Sequence, residues 1–208
     1  MEKHEQITIA EYELTAESYR VGTWEHDVSQ NREALIEAMP RVPGKILDLG
    51  CGPGRDLVAF QAMGHKVTGL DATPSFVEMA KQAAGCPVWE QSFLSLDLPN
   101  DHFDGIFANA SLIHVPKIEM LRVLKHLHYA LCDRGILVMS MVRGNHEGFA
   151  ERPTGYRYVS GWEYETLAPK LLEAQFQILR HYYRPTGMPI ENQSWLVFVA
   201  QKVIRPVG

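Results

Sequence analysis

The stretch KILDLGCGPGRD, residues 45–56, decides the fold of this 208-residue chain. Its isoleucine and leucines predict a buried strand, and the glycines that alternate after it, at Gly50, Gly52 and Gly54, predict a sharp turn into a helix. Glycine suits this turn because it permits a positive φ and a close approach of a ligand to the backbone. The stretch therefore predicts a strand, a ligand-binding turn and a helix that begins near Arg55.

The spacing of these glycines argues against a dinucleotide ligand. Dinucleotide-binding folds usually show G-x-G-x-x-G, with the pyrophosphate at the helix N-terminus, whereas the third glycine here comes one position early. Asp48 at the end of the strand would also add negative charge where a pyrophosphate must lie. A cationic ligand suits this position better.

Residues 46–54, ILDLGCGPG, resemble the first motif of the class I S-adenosylmethionine (SAM)-dependent methyltransferases, in which hydrophobic residues precede D-x-G-C/T-G-x-G. Asp48 and all three glycines stand at their motif positions. The resemblance implies a methyltransferase of the small-molecule type, SAM as its cofactor and S-adenosylhomocysteine (SAH) as product. It also implies an α/β, Rossmann-like fold: a seven-stranded, mostly parallel sheet of order 3-2-1-4-5-7-6, helices on both faces and an antiparallel C-terminal hairpin.

The same resemblance implies further contacts with the cofactor. Asp71 ends the second predicted strand, where such enzymes hold the ribose hydroxyls, and Ala72 follows it. Ser92 and Phe93 stand where the family often has an acidic residue followed by an aromatic one beside the adenine. With Ser92 in place of the acid, recognition of the adenine amine would depend on a hydroxyl, water or the backbone. Arg55 and Asn109 complete the cofactor contacts expected from the core of the fold.

The N-terminal segment YELTAESYR places Tyr12 and Tyr19 two helical turns apart. It resembles the lid segment Y-x₆-Y of many small-molecule methyltransferases, which implies that both tyrosines cover the cofactor and exclude water from its sulfonium. The alternative is an amphipathic helix that packs two aromatic rings. We expect a single domain over residues 1–208, with a helical lid at 1–40, the SAM-binding core at 41–142, and an acceptor loop, a helix and the hairpin at 143–208.

Three residues are candidates for acting on the acceptor. His114 follows the fourth predicted strand, close to where the methyl group would point in the resembled fold, and an imidazole with an ordinary pKa near 6.5 could take a proton from the acceptor. Arg143 and Tyr158 belong to a segment that mixes arginines with aromatic residues, which suits a carboxylate or phosphate on a small flat molecule. Alternatively, His114 caps the strand end or packs against the cofactor without titrating, and glutamates such as Glu147 and Glu151 pair with the arginines of that segment.

Composition narrows the possible partners. A net charge of −5 disfavours a nucleic-acid partner, whose phosphates call for a basic surface. No apolar run is long enough to cross a bilayer and the chain starts with polar residues, so we expect no membrane partner and a cytoplasmic location. The three cysteines lack metal-site spacing, and no histidine stands at ligand spacing beside the acidic turn before the fourth strand, so we expect no metal.

Hydrophobic periodicity predicts the remaining elements. In the helix at 117–131, Ile118 and four leucines form one apolar stripe, and His128 lies off it and is expected in solvent. Residues 143–160 are interpreted as a long, ordered connection. The helices are expected at 29–39, 56–63, 74–84, 117–131 and 161–173, and the strands at 45–50, 66–70, 87–91, 103–108, 135–141, 176–182 and 195–201.

The sequence therefore predicts methyl transfer to O, N or S of a small, acidic or aromatic metabolite, by a monomer or a homodimer. A modifier of proteins or nucleic acids and a non-catalytic SAM-binding protein remain as alternatives.

Overall fold

The computed structural model describes residues 2–203. Its strands alternate with helices along the chain, as in a sheet covered on both faces. The strands are β1 Lys45–Leu49, β2 Lys66–Asp71, β3 Val88–Glu90, β4 Phe103–Asn109, β5 Leu131–Val142, β6 Glu147–Arg152, β7 Gly155–Ser160, β8 Phe176–Arg184 and β9 Trp195–Lys202. The helices are α1 Lys3–Thr23, α2 Ser29–Ala38, α3 Arg55–Ala62, α4 Pro74–Ala84, α5 Met120–Ala130 and α6 Tyr164–Glu173.

Seven of the strands form one sheet in the order β3-β2-β1-β4-β5-β9-β8. The first five are parallel, and β9 runs antiparallel to both β5 and β8. With β8 and β9 as the sixth and seventh strands of this sheet, the predicted order and the antiparallel C-terminal hairpin are confirmed.

Two buried clusters lie on opposite faces of the sheet. Alternation along β1 sends Ile46 into the cluster with α2, α3 and α4, and Leu47 and Leu49 into the cluster with α5 and α6. All three side chains are fully buried, and each contributes about 1.5–3 kcal/mol to stability by leaving water. The apolar run that predicted a buried strand is thus explained by burial on both faces. Within residues 2–203, no helix is long and apolar enough to span a membrane.

The segment at 143–160 differs from its prediction as a connection. It forms a separate two-stranded antiparallel sheet of β6 and β7, which pairs Phe149 with Tyr158 and turns through Pro153 and Thr154. The hairpin packs against α1, where the Tyr158 amide donates to the Thr8 hydroxyl at 2.9 Å. The segment is therefore an ordered sheet that is held against α1.

Two predicted helices begin later than expected. The turn after Pro116 delays α5 to Met120 and leaves Ile118 84% exposed. The prediction for His128 was wrong, because this side chain lies one turn after the buried Leu124 and is itself buried. Helix α6 begins at Tyr164 instead of residue 161, since a capping box fixes its N-terminus there.

Candidate functional site

The glycine turn after β1 requires glycine at two positions for different reasons. Gly50 has a φ of +77°, and a Cβ there would lie 2.3 Å from Ser111 Cβ. Gly54 has a φ of +95°, and a Cβ there would lie 2.9 Å from Ala80 Cα of α4. The first glycine lets the turn pass under the loop that follows β4, and the third brings α3 close to α4.

The carboxylate of Asp71 at the end of β2 is buried and bound to backbone amides. Its Oδ2 accepts from the Gly52 N–H and its Oδ1 from the Thr73 N–H, both at 2.9 Å. Burial raises the pKa of Asp71, and these amides lower it in part. Each carboxylate oxygen has two lone-pair sites, so this held carboxylate can still accept hydrogen bonds from a ligand.

Asp48 at the end of β1 is buried, and its Oδ2 has no hydrogen-bond partner among residues 2–203. Burial and then the charge of Asp56 hold the pKa of Asp48 well above its usual range, and Arg55 and Arg32 act in the opposite direction. A buried oxygen of this kind costs free energy unless a ligand donates to it. It fits the cationic ligand that the sequence predicts.

Arg55 connects the glycine turn to α1. Its Nη1 donates to the Thr23 carbonyl at the C-terminal end of α1 at 2.9 Å, and its Nη2 donates to Asp56 at 2.6 Å. The position of α1 is therefore coupled to the turn that approaches the ligand.

Helix α1 covers this edge of the sheet with two aromatic rings. Tyr12 and Tyr19 contact each other edge to face at 5.4 Å between ring centroids, and both contact Phe76 of α4. Burial raises the pKa of both tyrosines. Both line the cavity beside Gly52.

A buried ion pair fastens α1 to the β6–β7 hairpin. The carboxylate of Glu11 is 3% exposed and accepts from the Arg157 Nε and the Thr154 hydroxyl. The Arg157 guanidinium also lies over the Tyr12 ring, 3.8 Å from its centroid. On the other side of α1, Glu13 accepts from the Ser75 amide and hydroxyl at the start of α4.

His114 lies at the junction between α1 and the hairpin. Its Nδ1 is 2.6 Å from the Tyr158 carbonyl and its Nε2 is 3.0 Å from the Tyr12 hydroxyl. Because a carbonyl only accepts, Nδ1 carries the proton, and Nε2 accepts from Tyr12. Burial lowers the pKa of His114 to about 4, so the imidazole is neutral at neutral pH.

Two adjoining cavities open at the carboxyl ends of the strands, where ligands bind in open parallel sheets. The first, of about 90 Å³, lies under α1 and has apolar walls that include Ile9, Ala72, Phe93 and Leu94. The second, of about 620 Å³, extends toward the hairpin and the turn between β8 and β9. Both cavities are lined by Tyr12, Tyr19, Gly50, Gly52, Asn109, Ala110 and His114.

Arginines line the second cavity. Arg152 and Arg157 come from the hairpin and Arg184 from the end of β8. Arg184 Nη2 donates to the Asp27 carbonyl, while its buried Nε has no partner among the described residues. Asn109 is oriented by Asn31, whose amide donates to it at 2.7 Å. The second cavity therefore combines these arginines with the carboxylates of Asp27, Asp48 and Asp56 and with aromatic walls that include Trp195.

The structure brings most of the predicted site residues to one edge of the sheet. The cavities are lined by Tyr12, Tyr19, Asp48, Gly50, Gly52, Arg55, Asp71, Ala72, Phe93, Asn109 and His114. Gly54 supports the turn through its contact with Ala80, and the Ser92 hydroxyl bonds to a glutamate that lines the first cavity.

Arg143 and the ring of Tyr158 lie apart from this group. Arg143 donates to the carbonyls of Ile190 and Gln193 at 2.6 and 3.0 Å, and it therefore holds the turn between β8 and β9. The Tyr158 hydroxyl bonds to Glu147, and only the main chain of Tyr158 reaches His114. The geometry gives neither side chain a contact with the cavities, and their catalytic roles stay predictions. No three acidic, histidine or cysteine side chains in residues 2–203 are placed to hold a metal ion.

Four residues of this site were not among the predictions: Glu5, Glu11, Asn31 and Phe76. Phe76 follows the second strand by a few residues, and a search of the first turn of α4 for aromatic residues could have found it. The other three reach the site by tertiary packing of α1 and α2, for which no local pattern gives a signal.

Comparison with known proteins agrees with the fold. A family model described as a methyltransferase domain matches residues 46–135. A trans-aconitate 2-methyltransferase of Escherichia coli is 30% identical over 122 residues, which cover 56% of this chain and 48% of that protein. The chain thus spans about half the length of the curated relatives that it matches.

Two solved structures share the fold over nearly the whole chain. A 1,6-didemethyltoxoflavin-N1-methyltransferase of Burkholderia thailandensis, with bound 1,6-didemethyltoxoflavin and SAH, has a TM-score of 0.72 at 22% identity, covering 98% of this chain and 92% of its own. The cyclase SpnF has a TM-score of 0.73 at 18% identity, covering 97% of each chain. Residues 46–135 thus match a methyltransferase domain, and the strand order and these solved structures agree with the fold that the glycine motif predicts.

Proposed function

We propose that this protein transfers a methyl group from SAM to O, N or S of a small, acidic or aromatic molecule. The observation that carries the proposal is the pair of adjoining cavities with Tyr12 and His114 between them. The first cavity has the acceptors and apolar walls that suit a nucleoside. The second has space for the amino-acid end of SAM beside Asp48, and arginines and aromatic walls for a second small molecule. Methyl transfer requires two ligands that meet at one point.

The residues present fit the cofactor. Asp71 offers lone pairs from a carboxylate that two amides hold in place, which suits the ribose diol. The unpartnered Oδ2 of Asp48 offers an acceptor for an ammonium group, and Gly50 leaves no side chain between the backbone and a ligand. Bound SAM would supply a methyl group already activated by its sulfonium.

The chain's own contribution is then to align the acceptor and exclude water. Tyr12 and Tyr19 on α1 cover the site, and the Glu11–Arg157 pair holds that cover in place. His114 is a weak base because its pKa is depressed to about 4, and its Nε2 already accepts from Tyr12. We infer that His114 positions the Tyr12 hydroxyl, and that the acceptor arrives with its lone pair free.

An acceptor that carries a carboxylate meets these conditions. It is ionised at neutral pH and needs no base, and the arginines at 152 and 184 can pair with it. Relatives that are named trans-aconitate 2-methyltransferases support this class, since aconitate is a polycarboxylate. The neighbour with bound 1,6-didemethyltoxoflavin supports a flat heteroaromatic ring as a second class, and Trp195 and Tyr19 provide aromatic walls for it.

A different chemistry on the same fold is the second candidate function. The cyclase SpnF shares this fold over 97% of both chains, so the fold alone does not establish methyl transfer. A macromolecular acceptor has less support, because the net charge of −5 disfavours nucleic acid.

Calorimetric titration with SAH, followed by an assay of SAH release from SAM, tests the proposal. We expect micromolar SAH binding, with NAD as a ligand that does not bind. Asp71→Ala should lose SAH binding, whereas Asp133→Ala, on the exposed turn of β5, should retain it. Turnover is then measured with tricarboxylates, heteroaromatic amines and thiols. SAH binding without turnover on any of them favours a non-methylating role, and unchanged binding in Asp71→Ala contradicts the site.

A further inference from the structure

The first cavity contains a carboxylate that the fold's core does not supply. Glu5 lies in the first turn of α1, yet it lines the same cavity as Ala72, Phe93 and Leu94. These three residues follow β2 and β3 and form apolar walls suited to a flat purine. A carboxylate at the edge of an apolar cavity can accept a hydrogen bond from a donor group of the ligand.

We propose that Glu5 accepts a hydrogen bond from the exocyclic amine of adenine, so that α1, and not the loop after β3, recognises the base. This inference rests on the proposed function, because it assigns a residue to the cofactor cavity of that function. It explains how the chain can recognise the adenine amine although Ser92 stands where the resembled family often has an acidic residue.

Contacts within the structure bring Glu5 to that position. The Ser92 hydroxyl, in a side chain that is 9% exposed, bonds to Glu5 Oε1, and the Leu94 amide donates to the Ser92 oxygen at 3.0 Å. The serine therefore links the loop after β3 to the glutamate of α1. The remaining oxygen of Glu5, Oε2, accepts from the Glu2 amide at 3.1 Å.

The carboxylate of Glu5 retains capacity for a ligand. A carboxylate has about four lone-pair sites, and the contacts with Ser92 and Glu2 use two of them. The other carboxylate of the cavity, Asp71, is assigned to the ribose diol, and the Thr8 hydroxyl is engaged with the His4 carbonyl and the Tyr158 amide. An amine left unpaired among apolar walls would cost affinity, so the free lone pairs of Glu5 are its best partners.

The simpler explanation is that Glu5 only closes the capping box of α1 with Glu2. The two roles differ in what they predict for ligand selectivity. A capping residue affects the position of α1 and thereby all ligands of the cavity equally. A residue that accepts from the amine affects only ligands that carry it.

The test is a calorimetric comparison of SAH with its deamino analogue, in which hydrogen replaces the 6-amino group of the purine. The wild-type protein should bind SAH at least about tenfold more tightly than the analogue, as expected for a hydrogen bond to a charged acceptor. In Glu5→Ala this ratio should fall to near one. Restoring a carboxylate on the β3 loop, with Ser92→Asp in the Glu5→Ala background, should recover most of the ratio.

Two control variants separate recognition from support of the helix. Glu2→Ala removes the capping partner, and Glu13→Gln weakens the anchor of α1 to Ser75; neither residue lines the cavity. Both variants should lower affinity for the two ligands by the same factor and leave their ratio at the wild-type value. Glu5→Gln, which keeps the capping geometry, should lower the ratio several-fold because its acceptor is neutral.

The failures are distinguishable. Two results overturn the role of Glu5: the wild-type protein binds SAH and the deamino analogue equally well, or both Glu5 variants keep the affinity ratio of the wild type. In either case SAH binding itself still supports the proposed function. Failure of the wild-type protein to bind either ligand contradicts the proposed function and this inference with it.

Discussion

At Gly50 a single Cβ decides whether the glycine turn can form. Its φ of +77° is left-handed, and the added carbon would lie 2.3 Å from Ser111 Cβ and 3.0 Å from Phe93 Cζ. We expect Gly50→Ala to lose about 2–4 kcal/mol of stability, through backbone strain and overpacking together. It should also abolish SAH binding, because both neighbours belong to the first cavity. Urea denaturation and SAH titration measure the two effects.

Gly64 provides the matched control for this substitution. It has a similar φ of +86°, but a Cβ there meets nothing within 4 Å. Gly64→Ala should therefore show only the backbone cost of about 1–2 kcal/mol and bind SAH as the wild type does. Equal losses of stability in the two variants would show that strain, and not the contact with Ser111, accounts for the requirement at Gly50.

The same turn shows why part of the site could be predicted from sequence. The acceptors Asp48 and Asp71 and the glycines follow consecutive parallel strands, and the carboxyl ends of such strands meet at one edge of the sheet. Glu5 and Glu11 carry no such signal. They reach the site because a helix distant in sequence packs across that edge, which only the tertiary structure determines.

Among the elements, α1 depends most on a few polar contacts. Its ends are tied by Arg55 and Ser92, and its middle by Glu11, which pairs with Arg157 of the hairpin at 3% exposure. Glu11→Gln leaves a partly buried guanidinium without its counter-charge, a change that typically costs about 3–5 kcal/mol. We expect α1 amides to exchange hydrogen markedly faster in this variant, with the exchange of β1 and β4 amides unchanged. Hydrogen exchange followed by mass spectrometry measures this.

Glu17→Gln on the same helix is the control. Glu17 pairs with Arg20 on the surface, where ion pairs contribute little, so its loss should leave the exchange of α1 unaltered. If Glu11→Gln instead accelerated exchange throughout the sheet, α1 would be part of the cooperative core and not a separately opening cover.

The elements that sequence predicted correctly have one dominant period. Their apolar runs or stripes are explained by packing into the core. These elements are strands β1, β2, β4 and β9 and helices α2 to α4. The β6–β7 hairpin escaped prediction because its strands bury few side chains and alternate charge with aromatic residues. Its order comes from contact with α1, a partner that lies over 120 positions away in the sequence.

His114 joins three parts of the fold: the loop after β4, α1 through Tyr12, and the hairpin through the Tyr158 carbonyl. Its burial lowers its pKa to about 4, against about 6.5 in the unfolded chain. Between these values the unfolded chain binds a proton that the native protein does not. Stability therefore falls as the pH is lowered through this window, and His114 adds no pH dependence above it.

The size of this effect follows from the shift, which corresponds to about 3 kcal/mol between pH 6.5 and pH 4. At pH 7, His114→Gln should be less stable than the wild type because it loses the contacts with Tyr12 and Tyr158. The difference in unfolding free energy between the two proteins should narrow by about 3 kcal/mol by pH 4. The wild type loses stability as the unfolded chain binds a proton at His114, and the variant has no imidazole there to protonate. Leu172→Gln, at an exposed position of α6, neither adds nor removes a titratable group and should parallel the wild type throughout. Urea denaturation at half-unit pH intervals gives the three curves. A constant gap between wild type and His114→Gln would mean that the imidazole titrates as freely in the native protein as in the unfolded chain, and its assignment as a neutral positioning group would have to be abandoned.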